Sequence, residues 1–535
     1  MTSTPQPVPP TGDASPLEFM LDGRAVRVDP LDGAAASGHG TLLEVLRDRL
    51  GVRSLKDGCS PQGQCGCCTV WVDGQPRVAC VTPASRVAGR AITTVAGLDA
   101  ADEWATRLCA TGGSQCGFCT PGIVMRLAAL APAQRTPDRV RQGLLAHLCR
   151  CTGWQTVVEA ACVDVSSATG ASATGRSFDA ASQRATIEGG VPQRVAPDVA
   201  LGGGGFPADT APRDAWHAVR DIDGEWHVAP TLSAARAASG KVQGRRTTEA
   251  LSWPIEVPPG DWVRTLQTAW VEPGYLEPAA AWCAPGGTPT CDLANGGAFG
   301  AKSEGELAEL GAVARRLADA CGRPVVAAWS REDVVRLGAK RPPLAAGVRA
   351  DGTGVVRVAR TPGIAAAITA VAPGLVVEEV DVPGPPTTSA VRGAGWAEAA
   401  VLLAPSDGWV RSPSGGAASA EIDVGVDGRE RVRVTVRCGA PLDEVVLRSY
   451  CIGAAHMALG WVRSEGITVD SSGQPLDLTV RSLGIIRSVD MPEVDVEVVA
   501  DDGPAVNGSD AVFAAVALAA WRREAFAPRW PTMRA

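Results

Sequence analysis

A chain of 535 residues is too long for one hydrophobic core and divides into several domains of ordinary size. A net charge of -8 and the lack of any Lys/Arg run argue against nucleic acid or anionic membrane as partner. Sixteen cysteines would suit a secreted disulfide scaffold only in a short chain behind an apolar leader. The first sixteen residues are instead polar and Pro-rich, and the longest apolar run, Ala511 to Trp521, is too short to cross a bilayer. The expectation is a cytoplasmic protein whose thiols are reduced or metal-bound.

Residues 1–15 read as a disordered tail. From Leu17 the alternation of Leu17, Phe19 and Leu21, answered by Val26 and Val28, predicts a hairpin turned at Asp22-Gly23. Thr41 then caps an amphipathic helix carrying Leu42, Leu43, Val45, Leu46 and Leu50, stopped by Gly51. The loop that follows places Cys59, Cys65 and Cys68 close together, with Cys80 on a returning strand. That is close to the plant-type ferredoxin spacing that holds a 2Fe-2S cluster, with five residues rather than four between the first two ligands. The insert Ser60-Pro61-Gln62-Gly63-Gln64 supplies a turn, so that backbone N–H groups can face the sulfurs of an anionic cluster. Cys67 is a surplus neighbour. Residues 69–72 and 76–81 form a second hairpin at Asp73-Gly74, so residues 16–98 have the sheet, helix, sheet order of a ferredoxin-like β-grasp domain.

Residues 99–165 become helical. They contain Cys116-Gly-Phe-Cys119 and Cys149-Arg-Cys151, each pair beside a helix start: Thr120 precedes Pro121, and Thr152 with Gln155 reads as a capping box. Helix N-termini favour an anionic cluster and lower thiol pKa values. Two cysteine pairs by themselves also suit a zinc site; the neighbouring ferredoxin loop favours iron and sulfide.

The ferredoxin loop together with QCGFCTPG (Gln115 to Gly122) and LCRCTGW (Leu148 to Trp154) resembles the iron-sulfur part of the xanthine dehydrogenase and aldehyde oxidase family, the molybdenum hydroxylases, over residues 17–163. The resemblance implies two 2Fe-2S clusters, one on Cys59, Cys65, Cys68 and Cys80 and the other on Cys116, Cys119, Cys149 and Cys151. It also implies that the helical cluster lies nearer a molybdopterin, which Gln115 reaches. His147 stands where the family usually carries Asn, and reads as a packing or capping residue.

Residues 166–200, rich in Ser, Ala, Thr and Gly, have the composition of a linker. No flavin domain fits there, so a flavin belongs on a separate chain. Residues 201–535 resemble a shortened molybdopterin-binding region of α+β type. Glu272 to Pro278, Gly296-Gly-Ala-Phe-Gly-Ala-Lys302, a helix from about Glu304 to Ala320, Arg331 to Asp333, and Arg392-Gly-Ala-Gly follow in the family's order. Gly296, Gly297 and Gly300 allow close backbone approach to a dithiolene or phosphate. The resemblance adds Phe299 and Arg392 as cofactor contacts.

Asp510 stands where the family carries the glutamate that takes a proton from the molybdenum hydroxide. It is shorter by one methylene, and in the bland reading it caps a helix with Ser509. Ala394 replaces a residue often aromatic in purine-oxidising relatives. The remaining cysteines at 67, 109, 162, 283, 291, 321, 438 and 451 read as buried packing residues.

The expected fold is multidomain α+β: β-grasp domain, helical 2Fe-2S bundle, linker and molybdopterin-like region. The expected function is that of an oxidoreductase unit passing electrons from the hydroxylation of a purine, N-heterocycle or aldehyde, a small molecule, through two clusters to an external acceptor. The alternative is an electron-transfer and docking subunit serving separate molybdopterin and flavin chains.

Overall fold

The computed structural model describes residues 15–30, 39–163, 176–242, 244, 246–499 and 502–534. Most of the tail expected at 1–15 therefore lies outside the described residues. Two Asp-Gly turns set the first sheet. Asp22 (φ 47°) and Gly23 (φ 77°), like Asp73 (φ 48°) and Gly74 (φ 73°), take the left-handed conformations that match the twist of a tight hairpin. They join β1 (Leu17–Leu21) to β2 (Arg24–Val28) and β3 (Thr69–Val72) to β4 (Gln75–Val78). β5 (Ala91–Thr93) completes a sheet of order β2-β1-β5-β3-β4, running parallel to β1 and antiparallel to β3.

Between the hairpins lies α1 (Leu42–Glu44), started by a capping box in which Thr41 and Glu44 satisfy each other's backbone N–H groups. Rather than running on to Leu50 as one α-helix, the backbone widens into a π-turn over Val45–Arg49. The helical part that follows comprises α2 (Ala101–Thr111), α3 (Thr120–Ala128), α4 (Pro137–Gly143) and α5 (Gln155–Cys162).

The linker expected over 166–200 is corrected in its second half. α6 (Phe178–Gly189), capped by Ser177, runs through it and is followed by α7 (Pro197–Ala200). Ala181, Arg184, Ala185 and Glu188 face inward at i, i+3, i+4 and i+7, and the Arg184 and Glu188 side chains are fully buried as a pair 2.9 Å apart.

The rest of the chain forms three further sheets. β6 (Trp216–Arg220), β7 (Trp226–Ala229), α8 (Leu232–Ala238), β8 (Arg264–Thr268), β9 (Ala280–Cys283), α9 (Glu304–Cys321), β10 (Val325–Ala328), α10 (Arg331–Leu337), β11 (Leu344–Val348), β12 (Gly354–Ala359), α11 (Ile364–Val371), β13 (Leu375–Val380) and α12 (Trp396–Leu403) come first. β14 (Trp409–Arg411), β15 (Ala417–Val424), β16 (Glu430–Arg437), α13 (Glu444–Arg463), β17 (Glu493–Val498), α14 (Ser509–Arg523) and β18 (Arg529–Trp530) complete the chain. The strand orders are β7-β6-β10-β9, β13-β12-β11-β8-β18 and β14-β15-β16-β17.

Helices α13 and α14 pack on each other in the main core and are apolar nearly all round because almost every face of each is covered. α13 is long and apolar enough to cross a membrane by length and composition, but most of it is buried inside the protein. Its small residues seat it against the second cysteine loop: a Cβ on Gly453 would run into the carbonyl of Cys151.

Candidate iron-sulfur and cofactor sites

The first thiol group is built by the loop between the π-turn and β3. Ser60 (φ 55°), Gly63 (φ 70°) and Gly66 (φ 72°) make the turns that the insert predicted. The Cys59 thiol lies against Cys65 and Cys80, and Cys80 against Cys68, which gathers the four in one run. Backbone N–H groups face these sulfurs, from Gln62 to Cys59 Sγ at 3.0 Å and from Cys80 to Cys68 Sγ at 3.4 Å. Every member is buried. Burial, with the Cys59 thiolate next, also pushes the Asp57 carboxyl up to about 7.

The second group forms where α3 and α5 begin. Cys116 Sγ and Cys151 Sγ are 3.7 Å apart, and Cys119 lies against Cys149. The hydrogen bond from Cys119, with Thr152 and backbone N–H groups behind it, pulls the Cys149 thiol down to about 6 against the opposing effect of burial. The capping box expected of Thr152 and Gln155 is corrected here. α5 has Trp154 at its N-cap with no side-chain cap, and the Thr152 hydroxyl is turned to Cys149 Sγ at 3.1 Å.

In the second group the thiols approach as pairs, Cys116 with Cys151 and Cys119 with Cys149, whereas in the first they form a run from Cys65 to Cys59 to Cys80 to Cys68. Four thiols in each of two groups is the ligand set of two 2Fe-2S clusters.

The two groups are locked together. The Leu148 N–H donates to the Cys65 carbonyl at 3.0 Å, a single hydrogen bond between residues that are, or adjoin, ligands of different clusters. His147 is a packing residue: its ring contacts the Thr69 hydroxyl and the Gly122 carbonyl, both at 3.2 Å, and burial holds its pKa down to about 4. Sequence reasoning missed Arg150, which sits between two ligands. It donates to the Pro273 carbonyl at 2.8 Å and to both oxygens of buried Glu465 at 2.6 Å. The partner is 315 residues away, and no local signal points to it.

The residues expected to hold molybdopterin converge beside the second group. Gly297 packs on the cluster loop, where an added Cβ would lie 3.1 Å from Arg150 Cβ and 3.5 Å from Cys151 Sγ. Gly296, Gly297, Phe299 and Gly300 all have positive φ, and a Cβ on Gly300 would run into the Ala390 carbonyl. The Phe299 carbonyl accepts from Arg392 N–H at 2.9 Å, and the Arg392 guanidinium stands 4.0 Å from the Phe299 ring centre. Arg392 also donates to Asp510 Oδ1 and to Ser509 Oγ, each at 2.9 Å. Gln115 donates to the Cys151 carbonyl at 3.0 Å and to Ser449 at 2.9 Å.

Asp510 and Ser509 do not cap α14. Gly508 is the N-cap residue, the N–H groups of Gly508 and Ser509 donate to the Glu188 carboxylate at 3.1 and 2.8 Å, and Asp510 N–H donates to the Asn507 side chain at 2.9 Å. The carboxylate at this helix start thus comes from α6, in the stretch read as linker. Asp510 itself is part exposed and ion-paired with Arg392, whereas Ser509 is buried.

Three buried polar atoms near this place have no partner: Gln115 Oε1, Tyr450 OH and Gln193 Nε2. An acceptor, a hydroxyl and a donor fit a heterocycle such as a pterin, which carries both kinds of group. A cavity of about 20 Å³ between Arg150, Arg341, Met457, Trp461 and Phe513 has room for about one water.

Residues 94–162 match the family described as the 2Fe-2S binding domain. Over 125 residues the chain is 37% identical to a probable xanthine dehydrogenase subunit of Bacillus subtilis (strain 168), a match that covers 23% of this chain and 72% of that protein. It is 40% identical over 131 residues to the aldehyde oxidoreductase of Megalodesulfovibrio gigas, covering 22% of this chain and 14% of that one. It is 35% identical over 180 residues to aldehyde oxidase 2 of Cavia porcellus, covering 30% and 13%. The chain thus matches only a small part of the length of the two longer relatives. The solved aldehyde oxidoreductase from Desulfovibrio desulfuricans ATCC 27774 superposes with a TM-score of 0.63 at 15% identity, over 94% of this chain and 97% of that chain, which is a likeness of fold. With the thiol pairs and these matches together, the chain belongs to the xanthine dehydrogenase and aldehyde oxidase family of molybdenum hydroxylases, oxidoreductases that use 2Fe-2S clusters and molybdopterin.

Proposed function

We propose that this chain carries electrons released when a purine, N-heterocycle or aldehyde is hydroxylated at a molybdenum centre. They enter at the group of Cys116, Cys119, Cys149 and Cys151, cross to that of Cys59, Cys65, Cys68 and Cys80, and leave to an external acceptor, with the flavin on a separate chain. The observation that carries this reading is the Leu148 to Cys65 hydrogen bond, at 3.0 Å, between two buried sets of paired thiols. Tunnelling favours covalent and hydrogen-bonded routes, and burial keeps water from reorganising around the changing charge.

For a molybdopterin bound by this chain, the contacts would be Gln115, the N–H groups of Gly296, Gly297 and Gly300, the Phe299 side chain, and Arg392; the Phe299 N–H is held by Asn295 Oδ1 at 3.1 Å. Bound there, it supplies a metal that takes up the substrate's two electrons. Gln115 and the Gly297 loop keep that place against the Cys151 end of the second group, and Arg392 offers positive charge to an anionic ligand.

A second reading is an electron-transfer and docking subunit without chemistry of its own, serving separate molybdopterin and flavin chains. It is favoured by the Asp510 carboxylate being engaged by Arg392 at 2.9 Å. A base must be free to accept the proton it abstracts. Elemental analysis of the chain purified alone separates the readings: about four irons and one molybdenum support the first, and iron without molybdenum the second. If a molybdenum-loaded chain turns over substrate and Asp510→Ala leaves the rate unchanged, the proton-accepting role of Asp510 is wrong.

A further inference from the structure

The first thiol group contains one sulfur more than a two-iron centre takes. Cys67, expected only to pack, is 1% exposed and has its thiol against that of Cys65. A Cβ built on Gly58 would stand 3.2 Å from Cys65 Sγ and 3.2 Å from Cys67 Sγ, so both sulfurs border the same point of the ligand loop. The thiol contacts run in one chain, Cys67 to Cys65 to Cys59 to Cys80 to Cys68, with Cys67 joined at the end where Cys59 and Cys65 pair. On its other side Cys67 interacts electrostatically with Cys119 and Cys149, which places it in the wedge between the two groups.

The backbone holds it there. Gly66 turns the chain at φ 72°, and Gly122 at the start of α3 must lack a Cβ, because one would lie 2.9 Å from Cys67 Cα. Besides the Cys65 thiol, the Cys67 thiol makes a long contact, 3.8 Å, to the Cys65 carbonyl.

We propose that Cys67 is an exchangeable ligand of the first cluster, able to take the place of Cys65. The step balances without an oxidant or reductant. The Cys65 sulfur–iron bond breaks and a Cys67 sulfur–iron bond forms, the Cys67 proton passes to Cys65, and the cluster keeps four thiolates and its charge.

The proposal rests on the two-cluster reading, and the second cluster serves as its internal reference. The full chain, Cys65→Ala, Cys59→Ala and Cys65→Ala/Cys67→Ala would be reduced and examined by electron paramagnetic resonance, with iron counted per chain. The expected result is that Cys65→Ala keeps both signals, the first shifted in g value, while Cys59→Ala and the double variant lose the first signal and keep the second. Equal loss in Cys65→Ala and the double variant overturns the proposal. A native chain with one signal overturns the two-cluster reading and this proposal with it. Should Cys65→Ala not accumulate, Cys65→Ser is compared with Cys65→Ser/Cys67→Ala by resonance Raman spectroscopy. Exchange gives an all-sulfur spectrum in the first and an oxygen-ligated one in the second, and identical spectra overturn it.

Discussion

Glu465→Gln isolates the role of the buried pair beside the second cluster. The native carboxylate meets the two terminal nitrogens of Arg150 at 2.6 Å each, with side chains only 4% and 1% exposed, and the third nitrogen is held by the Pro273 carbonyl at 2.8 Å. The amide keeps the shape but leaves the guanidinium charge uncompensated in a dry site, which costs about 3–5 kcal/mol. The same charge then acts on the cluster. For a separation of ~8 Å and an effective dielectric of ~20, the interaction is about 2 kcal/mol, or roughly 90 mV for a one-electron couple.

The sign follows from adding net positive charge, which favours the reduced, more negative cluster, so its potential rises. Denaturant unfolding gives the stability term, and a redox titration followed by electron paramagnetic resonance gives the potential. The first cluster, farther from Arg150, moves less. A loss under ~1 kcal/mol, the size of a surface pair, with an unmoved second-cluster potential would refute the reasoning.

Arg392→Ala should destabilise more than Asp510→Asn, by about 2 kcal/mol or more, because Arg392 is 1% exposed and serves Asp510, Ser509 and the Phe299 ring, whereas the Asp510 side chain is 28% exposed; paired unfolding curves check the order. Gly453→Ala should cost ~3 kcal/mol and broaden the second cluster's signal, since the new methyl meets the Cys151 carbonyl; unchanged stability and signal would contradict the packing of α13 on that loop.

Burial lowers the His456 pKa to about 4, so the folded protein holds it neutral while the unfolded chain protonates it near its usual 6.5. The unfolded state binds more protons between these values, so stability is lost as pH falls from about 6.5 towards 4, by ~3 kcal/mol. His456→Gln should flatten that acid limb in unfolding curves taken across pH.

What the sequence reveals depends on how far apart the interacting residues lie. Asp22-Gly23, Asp73-Gly74 and the Thr41–Glu44 box act within a few residues, and both hairpins and the helix start are legible from them. The cysteine motifs are legible for the same reason, because each loop brings its own ligands together before any tertiary contact forms. Arg150 is part of such a motif, yet its partner Glu465 arrives only with the end of α13.

In its second half the linker reading was misled by composition. Ala-rich sequence suits a helix as well as a flexible segment, and Ala181 and Ala185, four residues apart, let α6 pack closely enough to bury Arg184 and Glu188. Glu188 in turn does the capping that Asp510 and Ser509 seemed placed to do from sequence. Gly300, Phe299, Arg392 and Asp510 lie far apart in the chain, and only the ordered set of motifs links them before folding.

The central claim is that the paired thiols hold two separate two-iron clusters. Electron paramagnetic resonance of the reduced full chain, with Cys149→Ser beside it, tests this most directly. The account predicts two distinguishable signals and about four irons in the native chain, with one signal and about half the iron lost in the variant. A native chain with a single signal, or a variant that keeps both, would contradict it.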